Sequence, residues 1–342
     1  RVKTLHPSIH AGLLADRRRD DDRSALQQMG VDGIDLVVLN LYPFEDVAVA
    51  NWTPDDAAFE QVIEHVDIGG PAMIRAAAKN HANLGVVIDP SQYEAVGAEI
   101  RVSKGLSEAT RRRLALTAFQ RTAAYDAAIA TWLEEQVETE TSEDSKVVAP
   151  HYYTRQFEKV QDLRYGENPH QRAAFYRQFG PSTVSIASST QVHGGTLSYN
   201  NILDVEAAMQ LVGDFQEVAC AIIKHSNPCG FAVGGDLVEA LTKARDADPI
   251  SAFGGVVAVN RVVDLGLVEA LTSDGNFFEV LVAPSITEEA LARIQAGRAW
   301  VSRLRVLAVD SATSTLTPIR DRIDTVTRGI EGGLLVQSPD AL

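Results

Sequence analysis

Cysteine is almost missing from this sequence: of 342 residues only Cys220 and Cys229 carry a thiol, and they form no C-x-x-C pair. Two thiols exclude a disulfide framework and point to a reducing compartment. Long apolar runs are missing as well. Nothing approaches the roughly 20 residues of a membrane span, and the opening Arg1-Val2-Lys3-Thr4 has neither the apolar core of a signal peptide nor an initiator methionine. Positive charge is in short supply: 31 Lys and Arg face 46 Asp and Glu, a formal net charge of −15. A field of that sign repels phosphate backbones and anionic lipid, which excludes a general nucleic-acid or membrane-surface binder. Small anions then bind only in pockets where local cations or helix N-termini override the global field. What is present is ordinary globular composition, 45% hydrophobic and 23% charged, over a length that suits two domains. The expectation is a soluble, cytoplasmic, two-domain protein.

The first part of the chain alternates strand and helix signals. Ile34 to Tyr42, ended by Pro43, and Leu84 to Ile88, stopped by Asp89-Pro90, predict buried strands. Between them, Pro54 to Glu64 and Pro71 to Lys79 predict helices; Pro71 suits a helix start, where its missing N–H costs nothing. This alternation implies a parallel sheet covered on both faces. Leu106 to Gln136 reads as one long helix with an apolar stripe of Leu114, Ala118, Tyr125, Ile129 and Trp132, while Arg111-Arg112-Arg113 reads as a solvated helix face. Val137 to Pro150 is acidic, polar and aperiodic, the pattern of a linker, and places a domain boundary near residue 150. Beyond it, Ala219 to Ile223, Gly255 to Val259, Val280 to Ala283 and Leu304 to Val309 predict strands. Asp204 to Val212, Asp236 to Arg245 and Glu288 to Ala296 predict helices, the last with Thr287 as N-cap, an Ile286–Leu291 staple and Gly297 as its stop.

Polar clusters fall at predicted strand ends and helix starts, where α/β folds gather ligands. In the first domain these are Arg1 to Pro7, Asn40 to Phe44, Asp67 to Pro71 and Lys79 to His81. Gly69 and Gly70 before a helix let backbone N–H groups approach an anion. Lys3, Tyr42, Asp67 and Lys79 together supply acids, a base and electrostatic support. In the second domain, Ile223-Lys224-His225-Ser226-Asn227-Pro228-Cys229-Gly230 runs from a buried strand into a turn rich in Asn, Pro and Gly. An ammonium beside an imidazole disfavours the imidazolium and keeps a neutral base available. Leu163 to Gln171 and Leu197 to Asn201 add further polar loops.

Taken in order, RVKTLHP at Arg1, NLYPF at Asn40, DIGGPAMIRAAAKNH from Asp67, LRYGENPHQ from Leu163, LSYNN from Leu197, KHSNPCG from Lys224, DPISAFGG from Asp248 and EVLVAP from Glu279 closely resemble the bifunctional purine-biosynthesis family that joins IMP cyclohydrolase to AICAR formyltransferase. The resemblance implies a methylglyoxal-synthase-like parallel-sheet domain over 1–150, followed by a cytidine-deaminase-like α/β domain over 151–342. It implies the last two steps of IMP synthesis: formyl transfer from 10-formyl-tetrahydrofolate to AICAR, giving FAICAR, and closure of FAICAR to IMP. By the same resemblance His225 accepts the proton of the attacking amine, and Lys224 stabilises the oxyanion and helps protonate the leaving folate nitrogen. Arg164 and Tyr165 contact the nucleotide, Asn201 and Gly254 line the site, and Glu279 falls where the family places an acidic substrate or folate contact. For ring closure it implies Asp67 and Lys79 as deprotonating groups and Lys3 and Tyr42 as polarising groups. Arg1, Thr4, Asn40, Ile68 and Gly69 bind substrate, the phosphate lying near Arg1, Thr4 and the N–H groups around Ile68. Folate is a cosubstrate, no metal is required, and the family forms homodimers.

The chain also departs from the family pattern. A Ser/Lys-containing phosphate-binding strand and a Ser/Thr-Gly turn normally precede RVKTLHP, and the formyltransferase domain normally runs well past Gly332-Gly333-Leu334-Leu335. The expectation is a segment cut at both ends, poorly stable and inactive by itself, because a doubly covered sheet that loses strands exposes apolar faces. Two other readings stand beside the enzyme. A zinc deaminase needs H-x-E followed by P-C-x-x-C, whereas Pro228-Cys229 is followed by Ala232 in the second ligand position. A non-catalytic purine-ribotide-binding fragment needs phosphate contacts but no proton shuttle, and the joint presence of Lys224-His225 with Lys3, Tyr42, Asp67 and Lys79 argues against it.

Overall fold

A computed structural model describes residues 4–50, 56–139, 151–178, 184–309, 315–316 and 325–340. They divide into two compact units, Arg1–Gln156 with Phe179–Pro181, and Phe157–Gln178 with Ser182–Leu342. Among the described residues no helix is long and apolar enough to cross a membrane.

The first unit runs α1 (Pro7–Leu14), α2 (Asp20–Met29), β1 (Leu36–Val38), α3 (Phe44–Ala50), α4 (Asp56–Glu64), α5 (Gly69–Lys79), β2 (Gly85–Val87), α6 (Tyr93–Ser103) and α7 (Glu108–Thr139). β1 and β2 pair in parallel, Leu36 opposite Gly85. β2 is buried on both faces: Val86 joins Leu13, Ile74, Ala77 and Ala118, while Val87 joins Val96 and Leu114. β1, expected as a buried strand, is instead half-buried, with Val38 exposed. β1 is shorter than the apolar run Ile34 to Tyr42, although the Gly85 N–H donates to the Asp35 carbonyl and the Leu39 N–H to the Val87 carbonyl just beyond its two ends. The Asp35 side chain itself pairs with Arg17. α5 opens at Gly69 and not at Pro71, which still lies in the first turn, where N–H groups lack intrahelical partners. The Arg111-Arg112-Arg113 run is not simply solvated. Arg111 donates to the carbonyls of His81, Ala82 and Leu106, tying α7 to the chain leaving α5. α7 extends to Thr139, so the expected linker begins as helix; residues 140–150 lie outside the described residues.

The second unit contains β3 (Phe157–Leu163), β4 (Ala173–Gln178), β5 (Thr190–His193), α8 (Tyr199–Gly213), β6 (Val218–Lys224), β7 (Asn227–Gly234), α9 (Leu237–Ala247), α10 (Pro249–Ala252), β8 (Gly255–Val259), α11 (Leu265–Leu271), β9 (Phe278–Ala283), α12 (Glu288–Gln295), β10 (Arg305–Ala308), β11 (Val326–Ile330) and β12 (Gly333–Gln337). Its central sheet has the order β5-β10-β9-β8-β6-β7. β8, β9 and β10 are parallel, whereas β6, β7 and β5 join antiparallel, so the sheet is mixed. The period-2 alternation of a strand sends side chains to two cores. Ile222, Val257 and Leu281 pack on α9, α11 and α12, while Ile223, Val256 and Val280 pack on α8. β7 occupies what the sequence predicts as a turn; Pro228 fits there because β7 is an edge strand that leaves a missing N–H without consequence. Gly230 of β7 lies against Ala244 of α9 so closely that a Cβ would overlap the Ala244 carbonyl.

Candidate active site

In the second unit the buried run of β6 delivers Lys224 to the end of the sheet, and β7 begins at its partner Asn227. Only His225 and Ser226 are left to reverse the chain, with φ of 55° and 59°. A two-residue hairpin with both central residues at positive φ matches the twist of the strands, and Asn-Gly is its usual filling. A histidine and a serine hold that conformation at a cost of about 1–2 kcal/mol each, strain of the kind that collects at functional sites. Three bonds hold the turn. The Ser226 N–H donates to Asp204 Oδ1 at 2.7 Å, Asn227 Nδ2 donates to the His225 carbonyl at 2.8 Å, and Lys224 Nζ donates to the Phe253 carbonyl at 2.8 Å. His225 is exposed and Lys224 half-buried, so both reach solvent.

The first two turns of α8 tie the other motifs to this hairpin. Ser198 and Asn201 form a reciprocal capping box that starts the helix. That leaves the buried Asn201 free to donate Nδ2 to Glu279 Oε2 at 3.0 Å. Arg305 Nη1 stands 3.9 Å from the same carboxylate oxygen, and its Nε donates to the Thr196 carbonyl. Asn200 Nδ2 donates to the Glu167 carbonyl at 3.4 Å, joining α8 to the loop that carries the exposed Arg164 and half-buried Tyr165. That loop closes on itself through Gln171, whose backbone carbonyl accepts from Gly166 and whose side chain accepts from the Asn168 N–H. Gly254, at φ 81°, follows Phe253 and donates its N–H to the Phe277 carbonyl at 2.7 Å. Asp248 caps α10, and bonds from Ser251 hold its carboxyl below the usual carboxylate range. Burial pushes the Cys229 thiol up, partly opposed by the Lys224 ammonium. Sequence reasoning missed Asp204, Phe253 and Arg305 as members of this cluster. It places Asp204 at a helix start, but α8 begins at Tyr199 and Asp204 stands one turn beyond Asn200 on the same face.

In the first unit a second cluster forms where the chain enters α5. Asp67 Oδ1 accepts from the Gly70 N–H at 2.9 Å, and the Asp67 N–H donates to the Tyr125 hydroxyl at 2.8 Å. That hydroxyl donates in turn to the His65 carbonyl at 3.0 Å. Burial is the main cause that pushes the Tyr125 phenol above its ordinary range. Tyr42, 51% exposed, lies edge-on to His65 with ring centroids 6.5 Å apart. A Cβ at Gly69 would come within 3.3 Å of the Thr4 nitrogen and hydroxyl, so Thr4 sits against the start of α5 beside the exposed Ile68. Asn40 is exposed, its Oδ1 3.5 Å from the Tyr93 hydroxyl. Thr4, Tyr42, Asp67, Ile68 and Gly69 therefore gather at one helix end.

Lys79 does not join them. It is the last residue of the 11-residue helix α5, about 15 Å along the axis from Gly69. There it lines a cleft of about 470 Å³ with His10, Arg75 and Phe119. The expectation that Asp67 and Lys79 deprotonate one carboxamide together is thereby corrected, since one nitrogen cannot touch both ends of a three-turn helix. Arg1 and Lys3 lie outside the described residues. Among the described residues no group of three His, Cys, Asp and Glu side chains converges to hold a metal ion.

The family model of the AICARFT/IMPCHase bienzyme matches residues 77–342. The bifunctional purine biosynthesis protein PurH of Bacillus cereus (strain AH820) is 44% identical over 342 residues, 100% of this chain and 62% of its own length. PurH of Bacillus anthracis (strain CDC 684 / NRRL 3495) gives the same identity and shares. A solved crystal structure of ForH is 34% identical, covering 40% of this chain and 67% of its own, with a TM-score of 0.33, too low to bear on the fold. The chain thus spans 62% of the length of the curated relatives it matches. With a family model covering most of its length and such identity sustained from end to end, the chain belongs to the AICARFT/IMPCHase bienzyme family.

Proposed function

We propose that this chain carries the reacting groups of a protein that performs the last two steps of IMP synthesis. Its formyltransferase half begins near residue 150 with a cytidine-deaminase-like fold, and its cyclohydrolase half precedes it with a methylglyoxal-synthase-like fold. The observation that carries the reading is a continuous set of hydrogen bonds in the second unit: Asn200 to Glu167, Asn201 to Glu279, Asp204 to Ser226 and Lys224 to Phe253 bring five motifs distant in sequence to one place.

The chemistry fits these groups. The AICAR amine is a weak nucleophile because its lone pair delocalises into the ring and carboxamide. It needs positioning and a proton acceptor, each worth orders of magnitude in rate. His225, exposed at the tip of the hairpin, takes the amine proton as the nitrogen attacks the formyl carbon of 10-formyl-tetrahydrofolate. Lys224 stabilises the oxyanion that forms and supplies a proton to the departing folate nitrogen. Arg164 and Tyr165 hold the ribotide, Asn201 and Gly254 line the site, and Glu279 is a polar contact fixed by Asn201. Ring closure takes place at the start of α5, where Tyr42 polarises the formyl oxygen and Asp67 accepts the carboxamide proton as the nitrogen adds to the formyl carbon. The former formyl oxygen, then a hydroxyl, leaves as water. The ribotide phosphate meets Thr4 and the N–H groups at the helix start. Lys3 and Arg1 complete that site by resemblance, while Lys79 stands apart at the far end of α5. The protein works as a cytoplasmic homodimer on small-molecule substrates.

Gly70→Ala separates the two halves. The new Cβ overlaps Asp67 Oδ2 and comes 3.0 Å from its Cγ, so the carboxylate must swing off the Gly70 N–H. In the full-length protein the expected result is a fall of about 100-fold in FAICAR closure. Formyl transfer is untouched and FAICAR accumulates in a chromatographic assay. Undiminished conversion of FAICAR to IMP would remove Asp67 from the reaction.

A further inference from the structure

We infer that Asp204 is a positioning residue for formyl transfer, holding His225 in its left-handed backbone conformation through the Ser226 N–H; this deepens the proposed function and rests on it. Three observations support the assignment. First, the turn is strained at both central residues, at φ 55° and 59°, and neither is glycine. An unsupported His-Ser turn relaxes toward negative φ, and any such relaxation re-aims the imidazole, because the direction of Cβ follows φ and ψ. Second, the bond that opposes relaxation comes from outside the hairpin. Asp204 lies on α8, 22 residues earlier in sequence, and its carboxylate accepts from the Ser226 N–H at 2.7 Å, a charge-assisted geometry. Third, α8 also donates Asn201 to Glu279 at 3.0 Å, so one rigid helix places both the hairpin and the acidic contact. A base fixed to a helix keeps its distance to the reacting amine, whereas a base on a free hairpin tip does not.

The alternative role for Asp204 is plain stability, and a glycine in the turn distinguishes the two. Glycine adopts positive φ without a Cβ penalty, so Ser226→Gly relieves the strain at the residue whose N–H Asp204 holds and lessens the need for an outside restraint. Full-length Asp204→Ala, Ser226→Gly and the double variant are assayed for FAICAR formation from AICAR and 10-formyl-tetrahydrofolate, with closure of added FAICAR as the folding control. Asp204→Ala is expected to lower kcat at least 10-fold, with KM for AICAR changed less than threefold. In the Ser226→Gly background the same substitution is expected to cost threefold or less. Asp204→Asn, whose amide oxygen still accepts the N–H, retains most of the rate. An equal loss in both backgrounds, or a loss shared by the closure reaction, overturns the inference. Deuterium uptake of the 224–227 segment is read in parallel. Asp204→Ala is expected to raise it at least 10-fold, and unchanged uptake overturns the inference even if the protein makes no FAICAR. Absence of FAICAR from the unsubstituted protein would instead strike the proposed function.

Discussion

Substitution of His225 by alanine is expected to lower formyl transfer by about 100- to 10,000-fold, the range general-base removal produces. Closure of FAICAR to IMP is expected to proceed at the unsubstituted rate. The size of the effect follows from the nucleophile. A delocalised amine attacks productively only as its proton leaves, and His225 is the exposed titratable side chain at the turn, beside an ammonium committed to the Phe253 carbonyl. The independence of closure follows from location, because Thr4, Tyr42 and Asp67, assigned to it, gather at the start of α5, in the other unit. The check is a pair of initial-rate assays on one preparation, one fed AICAR with 10-formyl-tetrahydrofolate and the other fed FAICAR. A His225→Ala protein that transfers formyl groups within fivefold of normal would end the assignment of the base.

The largest effect on stability is expected at Gly230. Its backbone sits against α9 so that a Cβ would overlap the Ala244 carbonyl oxygen and stand 2.7 Å from the carbonyl carbon. Both obstructing atoms are backbone, held within α9 and unable to rotate away as a side chain would. Relief requires the edge strand β7 to lift from the helix, and with it the hairpin that carries His225. Overpacking of a close backbone contact costs about 3 kcal/mol, which lowers the melting temperature of a unit this size by roughly 10 °C. Gly230→Ala, followed by differential scanning calorimetry of the full-length protein, is expected to lower the transition of the second unit while leaving that of the first in place. An unchanged transition would mean that β7 and α9 are not packed in this way.

How far the sequence was readable depends on whether a signal is local. β8 is read from Gly255 to Val259 because a continuous apolar run bounded by Gly254-Gly255 and Asn260 fits a fully buried strand. α12 is read with its N-cap because Thr287 accepts from the Ala290 N–H three residues on. The resemblance, too, rests on contiguous words. Readings fail where the deciding contact comes from far along the chain. β7 reads as a turn because Pro228 and Gly230 are turn formers, yet Pro228 is admitted by an open sheet edge and Gly230 is demanded by α9. Arg111 reads as solvated because two arginines follow it, but the carbonyls it caps lie about 30 positions earlier. Lys79 and Asp67 sit in one motif and appear as partners, although a helix separates what the motif juxtaposes. The role of Asp204 has no local signature at all.

One reaction bears on all of this at once: full-length protein mixed with AICAR and 10-formyl-tetrahydrofolate, sampled over time for tetrahydrofolate, FAICAR and IMP. The expected course is release of tetrahydrofolate matched mole for mole by FAICAR plus IMP, with FAICAR rising first and IMP overtaking it. Binding of AICAR with no release of tetrahydrofolate would contradict it and leave a ribotide-binding protein in place of an enzyme.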